Sequence, residues 1–269
     1  MKKNKVFDCI TFFNENFLTN LRFEILNEVV DYFIVCESRY DHKGNPKLIN
    51  FSLKDKKFEK KVRHLIIEDQ FPKPNDGWAA ESYQREKIID GIKDAVNEDY
   101  IIFSDSDEIP NPNIIKNLSM TKKFGIFLQK FYVYKLNVFN QYETPWEGSR
   151  ICLKQNLKSF TYLRKKILKK NIDQPFWKFT TEKEIQLFDE GGWHFNNLYS
   201  ADDVSKKLKT FPHKEFNSEK YSNVKRVTHK MENLEDLFGR NHKYKKVDID
   251  SSFPEIIYKD KENFRKFIL

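Results

Sequence analysis

The sequence is poor in cysteine and has no long hydrophobic run, and both shortages restrict what the protein is. Only Cys9, Cys36 and Cys152 occur among its 269 residues, and none belongs to a CxxC pair. We therefore expect free, reduced thiols in the core and no disulfide framework. No run of roughly 18 uncharged apolar residues occurs, which argues against a transmembrane helix. Because Asp8 and later polar residues interrupt the apolar run after the basic start, we predict no signal peptide and a cytoplasmic location.

Aromatic and charged residues are abundant instead. The 25 Phe, 12 Tyr and 4 Trp residues supply a sizeable core, and 33% of the residues are charged, as in ordinary globular proteins. The 48 lysine and arginine residues exceed the 40 acidic ones and give a net charge of +8. This excess favours anionic ligands such as nucleotides, phosphorylated carriers or nucleic acids, or a peripheral contact with a membrane surface.

The order of hydrophobic segments predicts an α/β fold with a mainly parallel central sheet. Apolar runs typical of buried strands occupy residues 6–13, 32–36, 62–67 and 100–103. Helical spacing of apolar residues predicts helices over residues 18–29 and 78–96, so strands and helices alternate. Residues 124–134 predict one or two long strands, added to the sheet in antiparallel fashion. Residues 183–188 and 193–198 are further strand candidates before a C-terminal part of short helices and loops.

The strongest chemical signal follows the strand at residues 100–103. Asp105 and Asp107 come directly after it, and we expect Pro110 and Pro112 to prevent an immediate helix and leave the carboxylates in an extended turn. In open α/β sheets, ligands bind at this edge. Two carboxylates suit a hard cation such as Mn²⁺ or Mg²⁺ that takes further ligands from a substrate diphosphate. The alternative is a solvated acidic turn, since residues 248–250 repeat the pattern.

Two basic features also suggest anion binding, each with a simpler alternative. Residues 154–170 hold seven basic residues and no acid, which indicates either an anion site or a solvated basic face. Arg85 lies one turn after Glu81 on the predicted second helix, where its planar fork either meets a base or diphosphate or pairs with Glu81.

Two other classes of protein compete with a nucleotide-sugar enzyme. A metal-dependent phosphohydrolase also uses an Asp-x-Asp motif after a strand, but usually after the first strand, which ends here in Phe13-Asn14-Glu15. A basic nucleic-acid-binding protein fits the charge, yet no recognised nucleic-acid motif supports it.

Several short motifs occur in a definite order along residues 6–216. They are Phe7-Asp8 with Phe13-Asn14-Glu15, Arg22 with Leu26, Val30-Asp31-Tyr32-Phe33 with Glu37-Ser38, Trp78 through Glu81 to Arg85, Asp105 to Pro110, and Gly192-Trp193-His194-Phe195 followed by Lys207-Leu208. In this order they resemble glycosyltransferase family 17. The resemblance implies a GT-A type fold with residues 1–216 as catalytic domain and residues 217–269 as an extension packed on it. It also implies an inverting transfer from a UDP-sugar, most simply UDP-N-acetylglucosamine, to a glycan, polysaccharide or lipid-linked acceptor, without nucleic acid.

The resemblance also suggests roles for individual residues. The predicted donor-binding residues are Phe13, Asn14, Glu37, Ser38, Arg85 and Asp105. The predicted metal ligands are Asp105, Asp107 and His194. For the general base that an inverting transfer needs, Glu190 is the first choice, with Asp189 and Glu147 as alternatives. A helix cap or an ion pair with Arg22 is the competing interpretation of Glu37.

Overall fold

The first half of the chain forms the parallel part of one sheet. The structure is a computed structural model that describes residues 4–73, 76–210 and 218–269. Its first elements are β1 (Val6–Phe12), α1 (Asn16–Leu26), β2 (Tyr32–Ser38), β3 (Val62–Ile67), α2 (Gly77–Lys87) and β4 (Tyr100–Ser104). Strand β1 lies between β2 and β4, β3 flanks β2, and all three pairings are parallel. The carboxyl ends of these strands therefore meet at one edge.

The second half widens the sheet in mixed directions. Its elements are β5 (Glu108–Pro110), α3 (Pro112–Lys116), β6 (Phe124–Val133), β7 (Val138–Phe139), β8 (Trp146–Leu153), α4 (Phe160–Lys166), β9 (Ile185–Phe188), β10 (Gly192–Asn196), α5 (Ala201–Thr210), α6 (Glu219–Ser222), α7 (Val224–Glu232), β11 (Lys245–Lys246) and α8 (Glu255–Lys259). Strand β8 runs antiparallel to both β4 and β6, whereas β9 and β10 pair with β6 in parallel. The predicted α/β fold with a parallel core and antiparallel additions is confirmed.

Hydrophobic side chains cover both faces of this sheet, as parallel strands require. Along β1, Ile10 and Phe12 face a cluster that includes α1, whereas Phe7 and Cys9 face a second cluster that includes residues of α2 and α4. The three cysteines are free and buried, as predicted. Burial raises the pKa of the Cys36 and Cys152 thiols to about 12, so neither is a thiolate at neutral pH.

One local prediction was wrong. The helix predicted over residues 78–96 ends at Lys87 and continues as a 3₁₀ turn over Ile88–Ile92. Asp90 and Gly91 in this turn are poor helix formers, and Gly91 lies against Ile34 of β2. The prediction of an extended turn without an immediate helix after β4 is confirmed, because Asp105 to Asp107 form a turn that leads into strand β5. Helix α3 begins at Pro112, because a proline in the first turn lacks only an N–H that would have no partner there.

The C-terminal residues pack on the same sheet. Strand β11 pairs with β7 at the edge of the sheet, and Tyr244 and Leu237 join the buried cluster around Phe131. The predicted boundary between residues 216 and 217 lies outside the described residues. In the ranges that the structure describes, no helix is both long enough and apolar enough to cross a bilayer.

Candidate active site

A cleft of about 730 Å³ opens at the carboxyl ends of β1 and β4. Helices α2 and α4, strand β10 and residues 236–244 form its other walls. The amide nitrogen of Gln84 on α2 donates hydrogen bonds to the carbonyls of Phe12 (3.2 Å) and Cys36 (2.8 Å), which fixes the ends of β1 and β2. The cleft is rich in cationic side chains, namely Arg85, Arg164, Lys165, Lys207 and Arg240.

Asp105 lies between two arginines in this cleft. Its Oδ2 accepts a hydrogen bond from Arg164 Nη2 at 2.6 Å, and its Oδ1 lies 3.5 Å from Arg85 Nη2. Burial raises the pKa of Asp105, but Arg164 and Arg85 outweigh burial and hold the pKa below its ordinary value. Arg85 also pairs with Glu81 at 2.8 Å. The predicted pairing of Arg85 with Glu81 is therefore confirmed, whereas its contact with a base or diphosphate stays a prediction.

Glu108 lies buried beneath the site and positions Arg164. The sequence alone did not predict this role. Its side chain is fully buried and accepts both guanidinium N–H groups of Arg164, at 3.0 and 2.7 Å, together with Trp146 Nε1 at 2.7 Å and the backbone N–H of Asp105 at 3.2 Å. Glu108 thereby aims Arg164 at Asp105. The available signals were the third acid after Asp-x-Asp and the basic stretch 154–170, of which Arg164 and Lys165 line the cleft.

Asp107 faces His194 on β10. Asp107 Oδ1 lies 3.4 Å from His194 Nε2, and the imidazole stacks on Phe131 with ring centroids 4.2 Å apart. Burial raises the pKa of Asp107, but His194 outweighs burial and lowers it, so the carboxylate is ionised at neutral pH. Gly192 allows this approach of β10 to β5, because it has a φ of +124° and a Cβ there would lie 2.1 Å from the Ile109 carbonyl oxygen.

These residues fit a divalent cation only as part of a larger set of ligands. No cluster of three or more His, Cys, Asp or Glu side chains suited to a metal occurs in residues 4–73, 76–210 and 218–269. The 3.4 Å between Asp107 Oδ1 and His194 Nε2 is close to the roughly 3 Å that separates adjacent ligands of a small octahedral ion. Within the described chain, His194 Nδ1 is buried without a hydrogen-bond partner, which indicates that a water or ligand belongs beside the ring. Mn²⁺ or Mg²⁺ therefore fits if water and diphosphate oxygens complete its coordination.

A buried ion pair supports the acidic turn from below. Arg22 Nε and Nη2 each donate to one oxygen of Asp8 at 2.5 Å, and both side chains are almost completely buried. Arg22 also donates to Ser104 Oγ at 2.8 Å and to the Glu108 carbonyl oxygen. It thus ties α1 to both ends of the turn. The proposed pairing of Arg22 with Glu37 is wrong, since Asp8 is the partner.

The structure divides the residues predicted to bind the nucleotide. Phe13 lines the cleft, and Asn14 lies beside it in a side pocket with Glu15, whose Oε2 accepts the backbone N–H groups of both residues. Glu37 and Ser38 do not line the cleft. Glu37 is fully buried and accepts hydrogen bonds from Lys47 Nζ (2.6 Å), the backbone N–H groups of residues 50 and 51, and His64, while Ser38 Oγ accepts the N–H of Tyr40.

The three carboxylates predicted as general base all lie outside the cleft wall. Glu190 is in the turn before β10, with a side chain 74% exposed and paired with Lys130 at 2.9 Å, and Asp189 precedes it on the exposed side of the same turn. Glu147 Oε2 accepts the N–H of Lys169 at 2.9 Å and so holds the chain after α4. Glu190 and Asp189 thus lie in an exposed turn beside the cleft lining, and their role as general base stays a prediction.

A second charged cluster forms the wall contributed by the C-terminal residues. Arg240 donates to Asp236 at 2.6 Å and to Glu143 at 2.9 Å, and Tyr244 donates its hydroxyl to Asp236 at 3.0 Å. Asp236 is almost completely buried, whereas the side chain of Glu143 is 26% exposed. Glu143 thus presents a carboxylate to the cleft that is separate from Asp105 and Asp107.

Comparisons with known proteins agree with the motif order. A family model described as "Glycosyltransferase family 17" matches residues 1–259. The chain is 36% identical over 141 residues to the beta-1,4-mannosyl-glycoprotein 4-beta-N-acetylglucosaminyltransferases of Rattus norvegicus and Homo sapiens. The aligned part covers 47% of this chain and only 26% of each relative.

A more remote likeness exists among solved structures. Glucosyl-3-phosphoglycerate synthase from Mycobacterium tuberculosis, in complex with Mn²⁺, UDP and glucosyl-3-phosphoglycerate, matches with a TM-score of 0.39 and 10% identity. The match covers 85% of this chain and 80% of that chain.

Proposed function

Because the chain belongs to glycosyltransferase family 17, we propose that it transfers N-acetylglucosamine from UDP-N-acetylglucosamine to a hydroxyl of a glycan, polysaccharide or lipid-linked acceptor, with inversion and with Mn²⁺ or Mg²⁺. The observation that carries this proposal is the ionised Asp105–Asp107 turn, flanked by Arg164 and His194, in a cleft of about 730 Å³. That volume suits a nucleotide sugar. The names of the relatives support the choice of sugar.

The donor diphosphate is the ligand that the cationic wall fits best. The planar guanidinium groups of Arg85 and Arg164 lie beside Asp105, and Lys165 lies next to Arg164 on the same wall. Asp107 and His194 would hold the cation, and Asp105 would contact either the cation or the ribose. A bound Mn²⁺ or Mg²⁺ would neutralise charge on the leaving diphosphate. The surrounding arginines act on the same charge from the protein side.

We assign the general base to Glu143 in place of Glu190. The acceptor oxygen forms a bond to the anomeric carbon while the bond from that carbon to the UDP oxygen breaks, and Glu143 takes the hydroxyl proton. Glu143 is chosen over Asp236 because Asp236 is buried and already accepts hydrogen bonds from Arg240, Tyr244 and two backbone N–H groups. Glu143 keeps an exposed fraction in the cleft and has Arg240 and Asn140 as partners.

A donor screen tests the proposal directly. The purified protein is incubated with Mn²⁺ and a panel of nucleotide sugars, and release of the nucleotide is measured. We expect release from UDP-N-acetylglucosamine above the other donors and little release by an Asp107→Asn variant. Release from another donor alone would change the sugar, whereas release from none, with UDP binding also absent, would overturn the proposal. Hydrolysis of simple phosphate esters would instead favour a phosphohydrolase.

A further inference from the structure

The segment between α4 and β9 carries three aromatic side chains in solvent. Phe176, Trp177 and Phe179 are 79%, 62% and 87% exposed. Among the large hydrophobic residues that the structure describes, only Leu48 is comparably exposed, at 82%. Most other aromatic residues lie in the core, so this concentration within four positions is unusual for a surface loop. Exposed apolar groups gathered in this way mark a contact surface.

Local hydrogen bonds hold the segment in shape around these aromatic residues. The Pro175 carbonyl accepts the N–H of Lys178 at 3.0 Å and Lys183 Nζ at 2.6 Å, and the N–H of Gln174 bonds to the Asn171 carbonyl at 3.2 Å. Phe176 and Trp177 meet edge to face, with ring centroids 5.1 Å apart. The backbone thus forms its own turn without placing the three rings in the core.

The exposed rings lie beside lysines. Residues 165–183 contain six lysines against two acids, Asp173 and Glu182. Lys166, Lys169, Lys170 and Lys178 are exposed, and no ion pair joins the first three to a carboxylate in the described part of the chain. The lysines of residues 166–170 precede the aromatic residues and Lys178 lies between two of them, so charged and apolar groups share one short segment.

We propose that residues 166–179, the aromatic-basic segment, bind the surface of an anionic lipid bilayer. Phe176, Trp177 and Phe179 insert at the level of the headgroups, where aromatic rings are favoured, and the lysines contact anionic headgroups. A glycan or a single nucleic acid strand needs a groove or an aligned stacking platform. The edge-to-face pair at an exposed turn provides neither, and a bilayer requires no pocket.

Helix α4 connects this surface to the cleft. Arg164 and Lys165 line the cleft, and Lys166, the last residue of the same helix, begins the aromatic-basic segment. Binding to a bilayer would therefore bring an acceptor carried by that bilayer close to the protein that holds the cleft. The proposal does not rest on the proposed sugar transfer, because lipid binding is measured without any donor.

Vesicle sedimentation of the full chain tests this proposal. We expect the protein to sediment with phosphatidylcholine vesicles that contain phosphatidylserine, and much less with phosphatidylcholine alone or at high salt. The triple variant Phe176→Ala, Trp177→Ala, Phe179→Ala should lose about tenfold or more of its affinity. Lys169→Gln with Lys170→Gln should also weaken binding, whereas the exposed control Leu48→Ala should bind as the wild type does.

Fluorescence identifies the residue that enters the lipid. Trp177 emission should shift to shorter wavelength when anionic vesicles are added, and Trp177→Phe should keep binding while losing the shift. If each variant keeps the melting temperature of the wild type, weaker vesicle binding reflects lost contact with the lipid and not misfolding. Absence of sedimentation with anionic vesicles, or equal binding by the triple variant, would overturn the proposal. The proposal would also be overturned if the wild type bound a single nucleic acid strand or a polysaccharide but not vesicles, and if the triple variant alone lost that binding.

Discussion

Arg164 Nη2 lies 2.6 Å from Asp105 Oδ2, although the two residues are 59 positions apart in the chain. The same nitrogen lies 2.7 Å from Glu108 Oε1, and burial of the arginine is offset by these two carboxylates, which raise its pKa. The guanidinium therefore stays charged at every pH at which the protein is folded. It links the turn that holds Asp105 and Asp107 to α4 before any substrate arrives.

Replacing Arg164 should affect stability as well as activity. Arg164→Ala leaves the fully buried Glu108 without its main cation, and we expect a loss of about 3–5 kcal/mol in the free energy of unfolding. Adding Glu108→Gln should restore part of that stability but not donor binding. Urea unfolding of both variants measures the effect, and equal stability of the single and double variants would show that the pair does not act as a unit.

Binding of UDP should require a divalent cation. Two carboxylates in one cleft and a diphosphate repel one another unless a cation lies between them. In a thermal shift experiment, UDP should raise the melting temperature in the presence of Mn²⁺ or Mg²⁺ and not in excess EDTA. The metal alone is the matched control. Equal stabilisation by UDP in EDTA contradicts the assigned metal site.

Asp107→Asn should show whether the charge of Asp107 is needed for cation-dependent binding of UDP. The amide keeps the shape of the side chain but removes the negative charge next to His194. We expect weaker Mn²⁺-dependent binding of UDP and slower transfer and donor hydrolysis alike. Isothermal titration with UDP and Mn²⁺ measures the first effect. Wild-type affinity in this variant would remove Asp107 from the set of ligands.

Glu143→Gln and Glu190→Gln should differ if the base lies in the cleft. For Glu143→Gln we expect near-normal affinity for UDP and a fall in transfer of roughly 10² to 10⁴, the usual scale for loss of a general base. Glu190 is exposed outside the cleft wall, so Glu190→Gln should transfer nearly as well as the wild type. The reverse ranking of the two variants would return the role to Glu190.

Glu37 should make the protein sensitive to acid. Burial raises its pKa, but hydrogen bonds from His64, Lys47 and two backbone N–H groups outweigh burial and lower the pKa from 4.5 to about 2. Because the pKa is lower in the folded state, this stabilisation is present above pH 4.5 and is lost as the pH falls towards 2. Its size is about 3 kcal/mol.

The variant Glu37→Gln should be less stable at neutral pH and lose stability less steeply between pH 4.5 and 2. Glu68→Gln, in the exposed pair with Arg39, is the matched control and should change stability by less than about 1 kcal/mol. Denaturant unfolding as a function of pH measures both variants. A parallel pH dependence for the wild type and Glu37→Gln would show that this carboxyl does not control acid stability.

The sequence predicts contacts that are local and misses those formed by distant segments. The strands around β1 follow from runs of apolar residues, and the third was predicted with its exact bounds, Val62–Ile67. Likewise, Asp105 and Asp107 follow their strand directly. Glu37 ends a strand and was predicted from the family resemblance to bind the nucleotide, but the chain at residues 47–51 folds back and takes up its hydrogen bonds. Periodicity contains no information about that return.

The same limit explains the residues that were missed. In the sequence, Arg164 is one member of a basic stretch. Its contacts with Glu108 and Asp105 depend on how α4 packs against the sheet. Glu143 and Arg240 meet across 97 positions of sequence. No pattern within either segment predicts that pairing, so the second wall of the cleft could not be derived from spacing.

The contribution of residues 236–244 to the cleft has a consequence for how activity is acquired during synthesis. The turn that holds Asp105 and Asp107 leaves the ribosome long before Asp236, Arg240 and Tyr244, which complete the opposite wall. A nascent chain that has already paired β1 to β4 therefore lacks one side of its substrate cavity. By the same reasoning, a protease that cuts between α7 and β11 leaves the parallel strands paired. The cut falls in the segment that carries Arg240, the partner of Glu143, and so breaks this wall of the cleft. Loss of activity would then precede loss of the fold.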